Sequence, residues 1–182
     1  KVILGQNKIS NASLLNLNKI FLQPTAKVNP KAIKAILKAD AIIIGPGDFY
    51  TSIIPNLLIS GISQAINKSK AKKIYICNLM NKKGHTDEFT VGRFTEVMES
   101  YLGGKIDFVI YNNKKPNWNL LRRYAREGEK YVQTRVNLPK NKFIGADLIS
   151  KSFLKQQKGD YLKRNLIRHN SDRLARLITK FI

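Results

Sequence analysis

In three places the chain sets polar or glycine residues directly after a short apolar run, the arrangement by which an open α/β sheet offers loops to a ligand at the carboxyl ends of its strands. The first is Ala41-Ile42-Ile43-Ile44 followed by Gly45-Pro46-Gly47-Asp48-Phe49-Tyr50-Thr51-Ser52. Gly45 and Gly47 allow a backbone to approach a ligand closely, and free N–H groups with the hydroxyls of Thr51 and Ser52 suit a phosphate. The same residues also read as a plain turn. The second is Ile74-Tyr75-Ile76-Cys77 followed by Asn78 and a polar loop that reaches Thr86-Asp87. Asn78 can both donate and accept there, while Thr86 and Asp87 either line the same crevice or cap the next helix. The third strand end carries Tyr111-Asn112-Asn113, open to the same two readings.

Other residues with chemistry are few. His85 lies beside Thr86 and Asp87, and His169 between Arg168 and Asn170, with no partner for either legible in the sequence. His169 reads as structural, close to a helix start. Arg168 is a candidate phosphate or uronate contact, because a guanidinium matches oxyanions bidentately. Cys77 sits in an apolar strand, where a thiol is inert, and as a single cysteine it cannot form an internal disulfide. No paired metal-ligand spacing and no nucleophile elbow occurs.

The elements that must position these residues follow from periodicity. Continuous apolar runs at Ala41–Ile44, Ile74–Cys77 and Ile106–Tyr111, with a shorter one at Ile20-Phe21-Leu22, alternate with stretches of helical period. That alternation predicts βαβ units, a mainly parallel sheet and helices on both faces, a three-layer Rossmann-like α/β fold. Asn29-Pro30 is a helix start that should end near Ala39, and Leu58 to Lys70 reads as a second helix. Thr90 to Leu102 is a third, stopped by Gly103-Gly104, and Trp118 to Glu127 a fourth, ended by Gly128. Weaker strands are expected at Tyr131 to Val136 and Phe143 to Ile149. A last helix is capped by Asn170, with Leu174, Leu177, Ile178 and Phe181 on one face. Neither repeat nor linker is visible, so residues 1–182 read as one domain.

Composition limits the classes. The chain has 182 residues, 43% of them hydrophobic, enough for a real core, which excludes disordered, collagen-like and mini-protein classes. No apolar run approaches the ~18 residues of a membrane span, and the first residues turn polar before any leader-like stretch forms, so a soluble intracellular protein without membrane insertion is expected. The net charge of +21 points to polyanions such as nucleic acid. However, 24 of the 33 basic residues are Lys, spread over the whole length and accompanied by 17 Asn and 22 Ile, the residue types of A and T rich codons. A polyanion-binding surface would gather its charge, and the tail from Lys151 to Arg176 is where that could occur.

The run Gly45-Pro46-Gly47-x-x-Tyr50-Thr51-Ser52-Ile53-Ile54-Pro55-Asn56-Leu57-Leu58, with Ala71 to Met80 and Gly84-x-Thr86-Asp87-x-Phe89-Thr90, closely resembles the YvcK-like gluconeogenesis factors of the CofD phospholactate transferase superfamily. The resemblance extends to Ile167-Arg168-His169-Asn170. It implies a cytoplasmic, often oligomeric domain that binds a nucleotide-sugar or dinucleotide ligand. On the YvcK-like branch it further implies UDP-sugar ligands and a link to gluconeogenic growth, cell shape and wall synthesis. On the CofD branch it implies Mg²⁺-dependent phospholactyl transfer. Regulatory binding is expected here rather than turnover, with Gly45, Gly47, Thr51, Ser52, Asn78, Thr86 and Arg168 as ligand contacts and Asp48 with Asp87 as the candidate Mg²⁺ carboxylates. Family members are longer and open with a Gly-rich loop, so the chain is expected to be the C-terminal part of a longer domain. Three positions depart from the family pattern: Asp48 stands where Ser is expected, His85 for Glu and Glu88 for Gly.

Overall fold

The structure, a computed structural model, describes residues 2–15, 17–134, 137–151 and 166–182. In chain order its elements are α1 (Gln6–Ser10), α2 (Pro30–Lys38), β1 (Ala41–Ile44), a π-helical turn (Phe49–Ile53) leading into α3 (Ile54–Leu57), α4 (Ile62–Lys68), β2 (Lys72–Ile76), α5 (Val91–Leu102), β3 (Phe108–Asn112), α6 (Trp118–Arg126), β4 (Phe143–Ala146) and α7 (Ser171–Ile178). The four strands form one sheet in the order β1-β2-β3-β4, every neighbour parallel, with Ile43 opposite Ile74, Tyr75 opposite Val109 and Ile110 opposite Ile144. A parallel pair needs a crossover between its strands, so the loops leaving the strands gather at one edge of the sheet.

Strand alternation divides the core between the two faces. Tyr75 and Val109 point into the larger cluster, where they meet Phe49, Phe94, Met98 and Leu102. Ile74 and Ile110 point the other way, against Leu148 and the apolar side of α7, namely Leu174, Leu177 and Ile178. This is the three-layer α/β arrangement predicted from the apolar runs. Phe181 lies past the end of α7 but still packs its ring on Phe108, with centroids 4.5 Å apart.

Two caps are those the sequence predicts: the Asn29 side chain accepts from the Lys31 N–H with Pro30 at the first helical position, and Asn170 accepts from the Arg173 N–H. The cap of α5 is neither Thr86 nor Asp87 but Thr90, whose side chain accepts from the Arg93 N–H. Gly103 ends α5 at φ 65°, a conformation open to glycine at little cost.

Three expectations are corrected. Ile20-Phe21-Leu22 is irregular and joins no strand: Ile20 packs on the larger core while Phe21 is largely exposed. The helix expected over Leu58 to Lys70 is interrupted, because the chain is already helical from Phe49 to Leu57 and then turns through Gly61 at φ 97° before α4 begins. The strand at Phe143 stops at Ala146, and Ile149 makes only an isolated antiparallel bridge to His169. Tyr131 likewise makes a single bridge, to Met80, while residues 135 and 136 of that expected strand lie outside the described residues. So does most of the expected basic tail, residues 152–165. Among the described residues no helix is long and apolar enough to cross a membrane.

Candidate functional site

Two strand-end loops and one returning segment enclose a cleft of about 860 Å³ at the carboxyl edge of the sheet. The loop after β1 contributes Pro46, Gly47 and Asp48, and the loop after β2 contributes Asn78 to Lys82. The third wall, Ile167 to Asp172, is brought over by the Ile149–His169 bridge, in which Ser150 N–H donates to the Arg168 carbonyl at 2.8 Å and Asn170 N–H to the Leu148 carbonyl at 2.7 Å. Asn78 joins the first two loops by donating its Nδ2 to the Gly47 carbonyl at 2.8 Å. Asn81 is fixed in the same way, its Nδ2 donating to the Phe89 carbonyl at 3.1 Å and its N–H to the Lys130 carbonyl at 2.7 Å.

These bonds fix the orientation of both amides, and each Oδ1 is left over. Asp48 Oδ1, Asn78 Oδ1, Asn81 Oδ1 and His169 Nε2 are all buried without a hydrogen-bond partner, and all four belong to residues lining the cleft. Burial pushes the His169 pKa down to about 4, against a weaker upward pull from its bond to the Cys77 carbonyl, so the ring is neutral at pH 7. The nitrogen bonded to that carbonyl carries the proton, which makes Nε2 an acceptor. A buried acceptor without a donor costs about 1–3 kcal/mol, so these four, spread over the three walls of the cleft, are positions at which a donor from water or a ligand is favoured.

The charges are paired across the loops. Lys82 Nζ donates to Asp48 Oδ2, with side chains 33% and 26% exposed. His85 lies behind them, its side chain buried and its Nδ1 4.0 Å from Asp48 Oδ1. Burial and the neighbouring Lys82 charge lower the His85 pKa, against the upward pull of Asp48 and of the carbonyls of Ala12 and Ile9. Arg168 stands exposed at the opposite wall.

Of the ligand contacts expected from sequence, the cleft brings together Gly47, Asn78 and Arg168, along with Asp48. Gly45, Thr51, Ser52, Thr86 and Asp87 are outside its lining. The chain after Asp48 buries Phe49 and Tyr50 as anchors of the larger core, which turns Thr51 back toward α1, 3.5 Å from Ser10 Oγ. Ser52 N–H is used on the Asp48 carbonyl at 2.8 Å. Thr86 is buried and its hydroxyl accepts from the Lys82 N–H at 2.9 Å, so it closes a turn. Sequence reasoning missed Asn81 and Lys82 and read His169 as structural only. The signal available was the polar loop after a strand, but which of its residues faces inward is set by the turn Thr86 closes.

Mg²⁺ does not fit this arrangement. One oxygen of the Asp48 carboxylate is taken by the Lys82 ammonium, Asp87 lines no part of the cleft, and no group of three or more His, Cys, Asp or Glu among the described residues could hold a metal.

Residues 1–154 match the family model described as 2-phospho-L-lactate transferase CofD. The chain belongs to the CofD family. Gluconeogenesis factors are among the relatives it matches. It is 40% identical over 151 residues to the putative gluconeogenesis factor of Thermotoga maritima, covering 83% of this chain and 46% of that protein. Against the gluconeogenesis factor of Bacillus subtilis it is 30% identical over 184 residues, 100% of this chain and 55% of the other. A crystal structure of a UPF0052 family protein from Bacillus halodurans is similar with a TM-score of 0.82 at 29% identity, covering 98% of this chain and 55% of that one. This CofD family chain thus spans about half the length of the curated relatives it matches.

Proposed function

We propose that the cleft binds a nucleoside-diphosphate sugar of the UDP-sugar type, and that the protein acts by binding rather than by turnover, as a cytoplasmic regulator of carbon metabolism tied to cell shape and wall synthesis. The observation that carries the reading is the pairing, in one strand-end cleft, of four donorless acceptors with two cations, Lys82 and Arg168. Sugar hydroxyls and base N–H groups supply donors, and a diphosphate supplies charge for guanidinium and ammonium. A ligand of either kind alone would satisfy only half of the wall. Membership of the family with the gluconeogenesis factors supports the cellular setting.

Calorimetric titration tests the reading, with UDP-N-acetylglucosamine, UDP and free N-acetylglucosamine compared on the same protein. The nucleotide sugar should bind most tightly, UDP more weakly, and the free sugar not measurably. Absence of binding by both nucleotides, together with salt-sensitive binding of a DNA duplex, would replace this reading by one of polyanion binding through the +21 charge.

A further inference from the structure

We propose that Lys82 is the diphosphate contact of the cleft and that Asp48 is its built-in competitor, so that ligand affinity is set by how readily the ligand draws the ammonium away from the carboxylate. The inference rests on the nucleoside-diphosphate reading above and assigns roles within that site.

Four observations point to it. Lys82 and Asp48 come from different strand-end loops, both line the cleft, and they pair with each other across it. Both side chains remain partly exposed, so an anion in the cleft can reach the ammonium without unfolding anything. The Lys82 backbone is held by the Thr86 hydroxyl, while its four-carbon stem is free to swing from carboxylate to phosphate with the main chain still. Finally, the group behind the pair supplies no second cation, because burial keeps the His85 imidazole neutral and Asp48 Oδ1 is left without a hydrogen-bond partner.

In the empty cleft the pair is self-neutralised. An arriving diphosphate competes for Lys82 with Asp48, and it also meets the carboxylate's repulsion. Arg168 on the opposite wall attracts the ligand throughout, so Lys82 decides the final gain. Removing the charge of Asp48 while keeping its shape should therefore strengthen binding, which is the reverse of what a carboxylate that merely positions a lysine would do.

The experiment measures UDP affinity by calorimetry for the wild-type chain, Asp48→Asn, Lys82→Met and the double variant, with thermal melting to show that all four fold alike. Asp48→Asn should tighten binding about threefold to tenfold, the scale expected for releasing a partly exposed ion pair. Lys82→Met should weaken it about tenfold or more and flatten its dependence on salt. In the Lys82→Met background Asp48→Asn should recover only the part due to repulsion, a gain smaller than in the wild type. If the wild type binds and Asp48→Asn binds equally or more weakly, the competitor role is overturned while the nucleotide reading stands. If Lys82→Met binds as the wild type does, the contact role is overturned. Should none of the four bind UDP, the nucleotide reading itself falls, and this inference with it.

Discussion

Asp48 and Phe49 are consecutive, yet they belong to opposite kinds of environment. Asp48 lines the cleft with one carboxylate oxygen unpartnered, whereas Phe49 is 2% exposed and meets Tyr50, Phe89 and Phe94 edge-on at centroid distances of 5.1, 6.3 and 5.2 Å. The same step occurs after β2, where Cys77 is fully buried in the larger core and Asn78 opens onto the cleft. This division explains how the site tolerates its unmet acceptors. Each loop leaves a strand already packed in the core and returns to it at an aromatic residue, Phe49 after β1 and Phe89 after β2, so the unmet acceptors between them are held in place by the rest of the fold.

Damage to the apolar side should cost the protein most. Phe94 has no exposed surface and sits where α5 meets the rings of Phe49 and Phe89. Phe94→Ala should destabilise the protein by about 3–5 kcal/mol in chemical denaturation and should abolish ligand binding wherever the chain unfolds. A cost below about 1 kcal/mol would mean that the aromatic cluster does not anchor the loop after β1.

Acid should act on the polar side. The His169 pKa is about 4 in the folded protein and near its ordinary ~6.5 when unfolded. Above pH 6.5 neither state takes the proton and stability is unaffected. As pH falls toward 4 the unfolded chain is protonated and the folded one is not, so stability declines, by about 3 kcal/mol in all. His85 has its pKa lowered as well, by burial and then by the charge of Lys82, and acts in the same direction. Glu99 adds to the decline: burial pushes its pKa up, but bonds from Lys142, the Ile106 N–H and Lys105 pull it down overall, so its stabilisation is lost as those bonds lose their charge in acid. His169→Gln removes one share of this. Urea midpoints at pH 7, 5.5 and 4.5 should fall less steeply in the variant than in the wild type, and identical slopes would show that His169 is protonated in the fold.

These two sides differ in how far they are legible in the sequence. Strands β1 to β3 and helices α2, α5 and α7 are readable because each carries its own local signal: a continuous β-branched run, an Asn cap, or a glycine stop. The break before α4 is not, since the apolar period runs on through Gly61, which takes φ 97° where a Cβ would come within 3.3 Å of Val28. In the site, Gly47 and Asn78 are readable from their place just after apolar strands, and Arg168 from the match of its guanidinium to oxyanions. Lys82 and His169 are not, because their direction depends on a turn closed by Thr86 and on a bridge to Ile149 over a sequence separation of 20 residues. Thr51 and Ser52 mislead for the complementary reason: their hydroxyls suit a phosphate, but burial of Phe49 and Tyr50 decides where that turn points.

Substitutions should matter least at the joint between the two sides, where the chain passes from Asp87 to the core residue Phe89. Glu88 sits there at φ 59°, the left-handed region that costs a residue with a Cβ about 1 kcal/mol and glycine almost nothing. Backbone strain of this kind is a physical reason for the glycine that the sequence resemblance leads one to expect here. Against the strain stands the ion pair from Lys130 Nζ to Glu88 Oε1 at 2.5 Å, largely exposed and worth well under 1 kcal/mol, and the extra freedom a glycine gains when the chain unfolds. Glu88→Gly should therefore leave stability within about 0.5 kcal/mol of the wild type. Glu88→Ala keeps the strain and loses the pair, so it should be the less stable of the two by about 1 kcal/mol. Denaturation of both variants side by side measures the backbone term alone, since each has lost the same carboxylate; an alanine variant as stable as the glycine one would show that the loop relaxes its φ and that the joint is not held from the core side.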